Sequence, residues 1–165
     1  MARFHTRPAT TRRFVLLGLL VSGPVSAANR PCAAPRVLFV CPAGTVKSAI
    51  AREHLRARAA ARGVAVQASS RGVQVEDHVS AALAARLRAD RVAIHAEPPR
   101  RLAAADIDDA DLVIAFDDAM RAPGLERART WKIPSWNTSY EDAKAAQAPL
   151  IEALLDELAA RPCPS

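Results

Sequence analysis

At 165 residues, half of them hydrophobic and 4% aromatic, the chain suits one helix-rich globular domain with an aliphatic core and is too short for two full domains. The formal net charge of +6 invites a nucleic-acid or membrane-surface partner, but four of the surplus charges (Arg3, Arg7, Arg12 and Arg13) lie within the first 27 residues, leaving +2 on the remainder. So mild a balance selects no polyanionic partner and argues against a nucleic-acid role.

The N-terminus reads as an export signal. A basic stretch closing on Arg12-Arg13 precedes the apolar run FVLLGLLVSGPVSA, which ends at a small-residue site, Val25-Ser26-Ala27. The expected organisation is a signal over 1–27 and a domain over 28–165. Gly23 and Pro24 interrupt a run already too short to cross a bilayer comfortably. No stable membrane association is therefore expected after cleavage; the other reading is an uncleaved anchor. The paired arginines, with Val15-Leu16 behind them, resemble a twin-arginine signal, and an ordinary secretory signal is the competing assignment. Either route implies a periplasmic or extracellular protein.

Chain order then alternates two periodicities. RVLFV is a continuous apolar run, as in a strand buried on both faces. SAIAREHLRARAAARG follows with helical spacing, Ile50 and Leu55 inward and Gly63 as the stop. VAVQASS predicts a second strand and VSAALAARLRAD a helix with Leu83 and Leu87 on one face. A third strand is expected from Leu112, a short fourth at TWKIP, and a closing helix over 140–160 with Leu150, Leu154, Leu155 and Leu158 on its apolar side. Alternating β and α units imply an α/β fold, a four-stranded parallel sheet with helices on both faces in three Rossmann-like layers. Ligands in such folds bind at the carboxyl ends of the strands, where Cys41 stands.

The other two cysteines, Cys32 and Cys163, flank the domain. Export favours pairing, and a closing helix antiparallel to the strands brings its end to the start of the first strand. The expectation is a Cys32–Cys163 disulfide, contributing roughly 4–5 kcal/mol in the chain-entropy picture, with Cys41 free; the alternative is two unpaired thiols in the tails.

The segment Cys41-Pro42-Ala43-Gly44-Thr45-Val46-Lys47-Ser48 joins strand to helix. A turn of this kind directs successive amides inward as an anion-binding nest, and the helix start adds its positive dipole end. Gly44 supplies a left-handed conformation, Ser48 a hydroxyl for the sulfur, and Lys47 a cation beside the anion. A cysteine in that field is expected as thiolate.

This loop resembles the active-site loop of low-molecular-weight protein-tyrosine phosphatases and the related arsenate reductases, whose pattern is a strand, C-x5-R-[ST] and a helix. VAVQASSRG, DADLVIAFDDAM and WKIPSW are similar to later family segments, so the likeness runs from Arg36 to about Ala160. The resemblance implies phosphate monoesters or phosphorylated proteins as substrates, a phosphocysteine intermediate on Cys41, a cradle of residues 42–47, and no metal or cofactor. It also exposes departures. Lys47 replaces an arginine and loses its two-pronged grip. Ser135 stands for the acid aspartate, Trp136 for the following proline, and Pro42 has no amide to offer. Val46 replaces a second loop cysteine, which, with no further thiol to relay, argues against arsenate reduction. The expected protein is an exported phosphatase of weakened activity; the competing readings are a degenerate binder of phosphate or a phosphorylated ligand, and a thiol redox protein.

Among other candidates, Trp136 and Tyr140 read either as an aromatic pocket wall or as packing residues, and Trp131 as core. Glu141 and Asp142 read as first-turn helix residues rather than a replacement acid. His54 reads as helix surface, Ser69 and Ser70 as anion contacts or turn caps at a strand end, and DIDDAD as a solvated turn. His54, His78 and His95 show no metal-ligand spacing.

Overall fold

The computed structural model describes residues 33–161. The expected export signal over 1–27 and the expected pairing of Cys32 with Cys163 lie outside the described residues.

Four parallel strands, β1 (Arg36–Cys41), β2 (Gln67–Gly72), β3 (Leu112–Phe116) and β4 (Arg129–Trp131), form one sheet in the order β2-β1-β3-β4. The most apolar strand is central. Val37, Phe39 and Cys41 face one side and join the buried residues of α1 (Lys47–Arg62), α2 (Ala81–Ala89) and α4 (Tyr140–Ala159). Leu38 and Val40 face the other, with Ala115, Ala119, Leu125 and the half-buried Ile107 of the short α3 (Ala104–Asp108). Helices thus cover both faces, as the alternating pattern required.

Local chemistry sets the ends of these elements. Gly63 terminates α1 at φ 65°, its amide returning to the carbonyls of Ala59 and Ala60. Ser80 caps α2, accepting the Leu83 amide at 3.1 Å. In α4 the buried positions run Ala143, Gln147, Ile151, Leu154, Leu155, Leu158. That phase adds Ile151 to the expected apolar face, with Leu150 half-buried against the same core.

Three expectations shift. β2 starts later than VAVQASS and runs to Gly72, because pairing with β1 begins at Arg36↔Gln67; Val64 and Val66 instead pack against the core as partly buried residues of the approach. β4 ends at Trp131 rather than Pro134. The acidic run is not simply a solvated turn: Asp106 pairs with Arg71 at 2.6 Å, and the Asp111 carboxylate accepts the Arg36 amide at 2.7 Å.

Candidate active site

The turn after β1 is held open by a backbone-on-backbone contact. Gly44 sits at φ +74°, and a β-carbon there would lie 2.7 Å from the Gly72 nitrogen; one on Gly72 would lie 2.8 Å from the Ala43 carbonyl and the Gly44 nitrogen. Two glycines at this crossing let the end of β2 press against the turn. The chain beyond β2 then takes up the carbonyls of the turn: Val73, Gln74 and Glu76 donate their amides to Cys41, Pro42 and Ala43 at 3.2, 2.9 and 3.2 Å. With those carbonyls engaged, the amides of Ala43, Thr45, Val46, Lys47 and Ser48 have no protein acceptor among the described residues. Helix α1 adds to this, since Val46 gives it no side-chain cap and its first turn holds no acid. Unpaired amides and an uncapped dipole end on one turn form an oxyanion cradle.

Cys41 is its floor. The Gly44 amide donates to Cys41 Sγ at 3.1 Å, and Ser48 Oγ lies 3.1 Å from the same sulfur. Cys41 is 3% exposed and Ser48 fully buried, so these contacts operate in a low-dielectric setting that strengthens them. Cys41, Pro42, Ala43, Gly44, Thr45, Val46 and Ser48 are thus brought together as one constellation.

Lys47 belongs to the same turn but its ammonium is taken. Nζ donates to Asp117 Oδ1 at 2.9 Å and to the Ile133 carbonyl at 2.8 Å, with Asp117 Oδ2 at 2.7 Å completing the ion pair. Rather than standing free beside an anion, Lys47 ties the turn to the ends of β3 and β4. Asp117 was missed by sequence reasoning. Val40 pairs with Ala115, so the residue just past β3 lies at the same sheet edge as Cys41, and a left-handed backbone, φ 53°, departs there from the strand. The rule that locates ligands at the carboxyl ends of strands would have found it, had it been applied to β3 as it was to β1.

The loop after β4 departs from expectation. Ser135 is exposed and its carbonyl accepts the Ser139 amide at 2.8 Å. Trp136 is not a pocket wall. It is 1% exposed, edge-on to His54 at 5.8 Å and to Tyr140 at 5.2 Å between ring centroids; burying so large an apolar area outweighs presenting it to a ligand. Tyr140 is likewise core, its hydroxyl donating to Asp90 at 2.7 Å, and Trp131 is core as expected. Glu141 and Asp142 occupy the first turn of α4.

His54 is not helix surface. It hydrogen-bonds Gln147 Oε1 at 2.7 Å between α1 and α4, and burial pushes its pKa below the usual histidine value. Ser70 is buried and accepts from Arg52 Nη1 at 2.8 Å, so it neither contacts the cradle nor caps a turn; β2 continues past it. Ser69 lines a separate groove with Arg36 and Arg71. Arg52 itself, 2% exposed, was unforeseen: it also bonds Glu53, Glu97 and the Ile94 carbonyl. His78, on the segment after β2, places Nδ1 3.3 Å from Thr45 Oγ1. Among the described residues no three His, Cys, Asp or Glu side chains cluster to hold a metal.

The model of the family described as low molecular weight phosphotyrosine protein phosphatase matches residues 36–156, most of the chain. The protein belongs to this family. Its members are cysteine-dependent phosphatases, and Cys41 stands at the end of β1 as that chemistry requires. Among solved structures, the low molecular weight protein tyrosine phosphatase from T. tengcongensis superposes with a TM-score of 0.62 at 21% identity, covering 75% of this chain and 99% of that one. An arsenate reductase in its phosphate-binding state gives 0.62 at 16% identity over 75% and 98% of the two chains. The tyrosine phosphatase Wzb from Escherichia coli K30, in complex with sulphate, gives 0.55 at 18% identity over 74% and 99%. At these identities the likeness establishes the fold. No curated protein sequence matches the chain.

Proposed function

We propose that the protein is an exported phosphatase that hydrolyses phosphate monoesters through a phosphocysteine on Cys41, at a rate below that of a site with arginine and a loop aspartate. The observation that carries this reading is the sulfur beneath the cradle: Sγ receives the Gly44 amide at 3.1 Å and lies 3.1 Å from the Ser48 hydroxyl oxygen. The unpaired amides above it suit the equatorial oxygens of a phosphoryl group, whose charge they stabilise without reorganising.

In the reaction so derived, Cys41 Sγ attacks phosphorus in line with the leaving oxygen and the phosphorus–oxygen bond breaks. Water then attacks the phosphocysteine, releasing inorganic phosphate and restoring the thiolate. Splitting one displacement into two is the ordinary gain of covalent catalysis. Attenuation is supported by two features. Lys47 is occupied by Asp117 and Ile133, so the amides hold the dianion without a bidentate cation, a loss on the order of 100-fold in rate. Ser135 supplies no acid, and general acid catalysis is worth typically 10²–10⁴-fold.

The engagement of Lys47 also favours a second reading, a protein of this fold that binds phosphate or a phosphorylated ligand without turnover. Incubation with p-nitrophenyl phosphate separates them: wild-type protein is expected to release nitrophenol, and Cys41→Ser to release none above background. Absence of release from wild type, with saturable phosphate binding by both proteins, removes catalysis and leaves the binder. Export is supported by the basic-apolar-small order of residues 1–27, and recovery of the intact chain from the cytoplasmic fraction alone would overturn it.

A further inference from the structure

The family-like site lacks a proton donor where one is expected, because Ser135 holds the position. The groups around the cradle narrow the choice of a substitute. Lys47 and Asp117 are bound to each other. The Asp77 carboxylate accepts the Val79 amide at 3.4 Å, and Glu76 lines a cleft with Pro42, Ala43, Asp118 and Arg121. His78 differs from all of these. Its Nδ1 lies 3.3 Å from Oγ1 of Thr45, a residue of the cradle itself that is 7% exposed. Its other ring nitrogen has no protein partner among the described residues.

The backbone at His78 is moreover fastened to the loop that lost its acid. Asn137 Nδ2 donates to the His78 carbonyl at 3.1 Å, and Asn137 Oδ1 accepts the Ser80 amide at 3.0 Å. The loop carrying Ser135 therefore holds, through Asn137, the segment that presents an imidazole to the cradle. Imidazole is the side chain best suited to exchanging a proton near neutrality.

We infer that His78 is the proton donor of this site, doing from the segment after β2 what the loop after β4 no longer does. The inference rests on the phosphatase reading above. With Nδ1–H donated to Thr45 Oγ1, the imidazolium carries its second proton on Nε2. As the Cys41 sulfur–phosphorus bond forms and the bond to the leaving oxygen breaks, that proton passes to the leaving oxygen and an alcohol departs. The neutral imidazole then takes a proton from the water that attacks the phosphocysteine. The sulfur–phosphorus bond breaks, the thiolate returns, and monoester plus water has become alcohol plus inorganic phosphate.

Leaving-group dependence tests this. An acidic phenol needs no proton, so p-nitrophenyl phosphate is insensitive to the donor, whereas phenyl phosphate is not. In His78→Gln, kcat/KM on phenyl phosphate is expected to fall by about 100-fold or more while that on p-nitrophenyl phosphate stays within about threefold. Asn137→Ala, which releases the segment carrying His78 but keeps the imidazole, is expected to show the same selectivity to a smaller extent, and serves alone if His78→Gln does not fold. A merely structural role would lower both substrates together. Equal losses on the two substrates, or no loss on either, overturn the assignment to His78 and leave the phosphatase reading intact. No release from p-nitrophenyl phosphate by wild type beyond that of Cys41→Ser overturns both.

Discussion

The crossing of Gly44 and Gly72 allows strain and contact to be separated by three alanine substitutions. At Gly63 the backbone is left-handed, φ +65°, but nothing lies within 4 Å of an added β-carbon, so Gly63→Ala meets conformational strain alone, about 1–2 kcal/mol. At Gly72 the reverse holds. No left-handed angle opposes a side chain, yet the new carbon would sit 2.8 Å from the Ala43 carbonyl carbon and oxygen and the Gly44 nitrogen. Those are backbone atoms, which cannot rotate aside, so the turn itself must move. Overpacking of this kind costs about 1–3 kcal/mol, offset by up to about 1 kcal/mol from the stiffer unfolded chain. Gly44→Ala meets both penalties, φ +74° and a 2.7 Å approach to the Gly72 nitrogen, for about 2–5 kcal/mol. Thermal unfolding reads these as roughly 3–5 °C per kcal/mol. The decisive measurement repeats the melts in inorganic phosphate. A ligand at ten times its Kd stabilises the folded state by about 1.4 kcal/mol. Wild type and Gly63→Ala are expected to gain that increment. Gly72→Ala is expected to lose it, although Gly72 lies on another strand and offers no group to the anion. A Gly72→Ala protein with the full phosphate increment would refute the claim that this contact shapes the cradle.

Two further outcomes follow from the charged interior. Arg52→Met removes the cation shared by Glu53, Glu97 and Ser70 while leaving its partners in place, and is expected to destabilise by about 3 kcal/mol; the more exposed Arg56→Met is expected to cost about 1 kcal/mol or less, and equal urea midpoints for the two variants would remove the distinction. His54 is held below its usual pKa chiefly by burial, so between the folded value and the unfolded value near 6.5 the unfolded state binds more protons. Stability is therefore lost as pH falls below about 6.5; His54→Gln is expected to flatten that part of the urea-unfolding profile, and an unchanged slope would contradict the burial argument.

The sheet was legible because its central strand is a continuous apolar run and its first helix ends at a glycine; both are local signals that no tertiary context reverses. Cys41, Gly44 and Ser48 were legible for the same reason, since all three act within one turn. What escaped was every feature decided by which strands become neighbours. Arg52 sits in the apolar phase of α1, and no local signal announces that Glu53, Glu97, Ser70 and the Ile94 carbonyl converge on its guanidinium and compensate its burial. Trp136 had two possible faces, and the presence of His54 and Tyr140 on one of them decided between them.

Lys47 is the instructive case, because its residue type was read correctly and its partner was not. The ammonium donates to Asp117 Oδ1 at 2.9 Å and to the Ile133 carbonyl at 2.8 Å, with Asp117 Oδ2 at 2.7 Å. A guanidinium is a planar fork that matches two coplanar oxygens, on a carboxylate or a phosphate alike. Lys47 ties the turn to the ends of β3 and β4, and Val73, Gln74 and Glu76 take up the turn's carbonyls, so the turn after Cys41 is held both by the chain beyond β2 and by the far strands of the sheet.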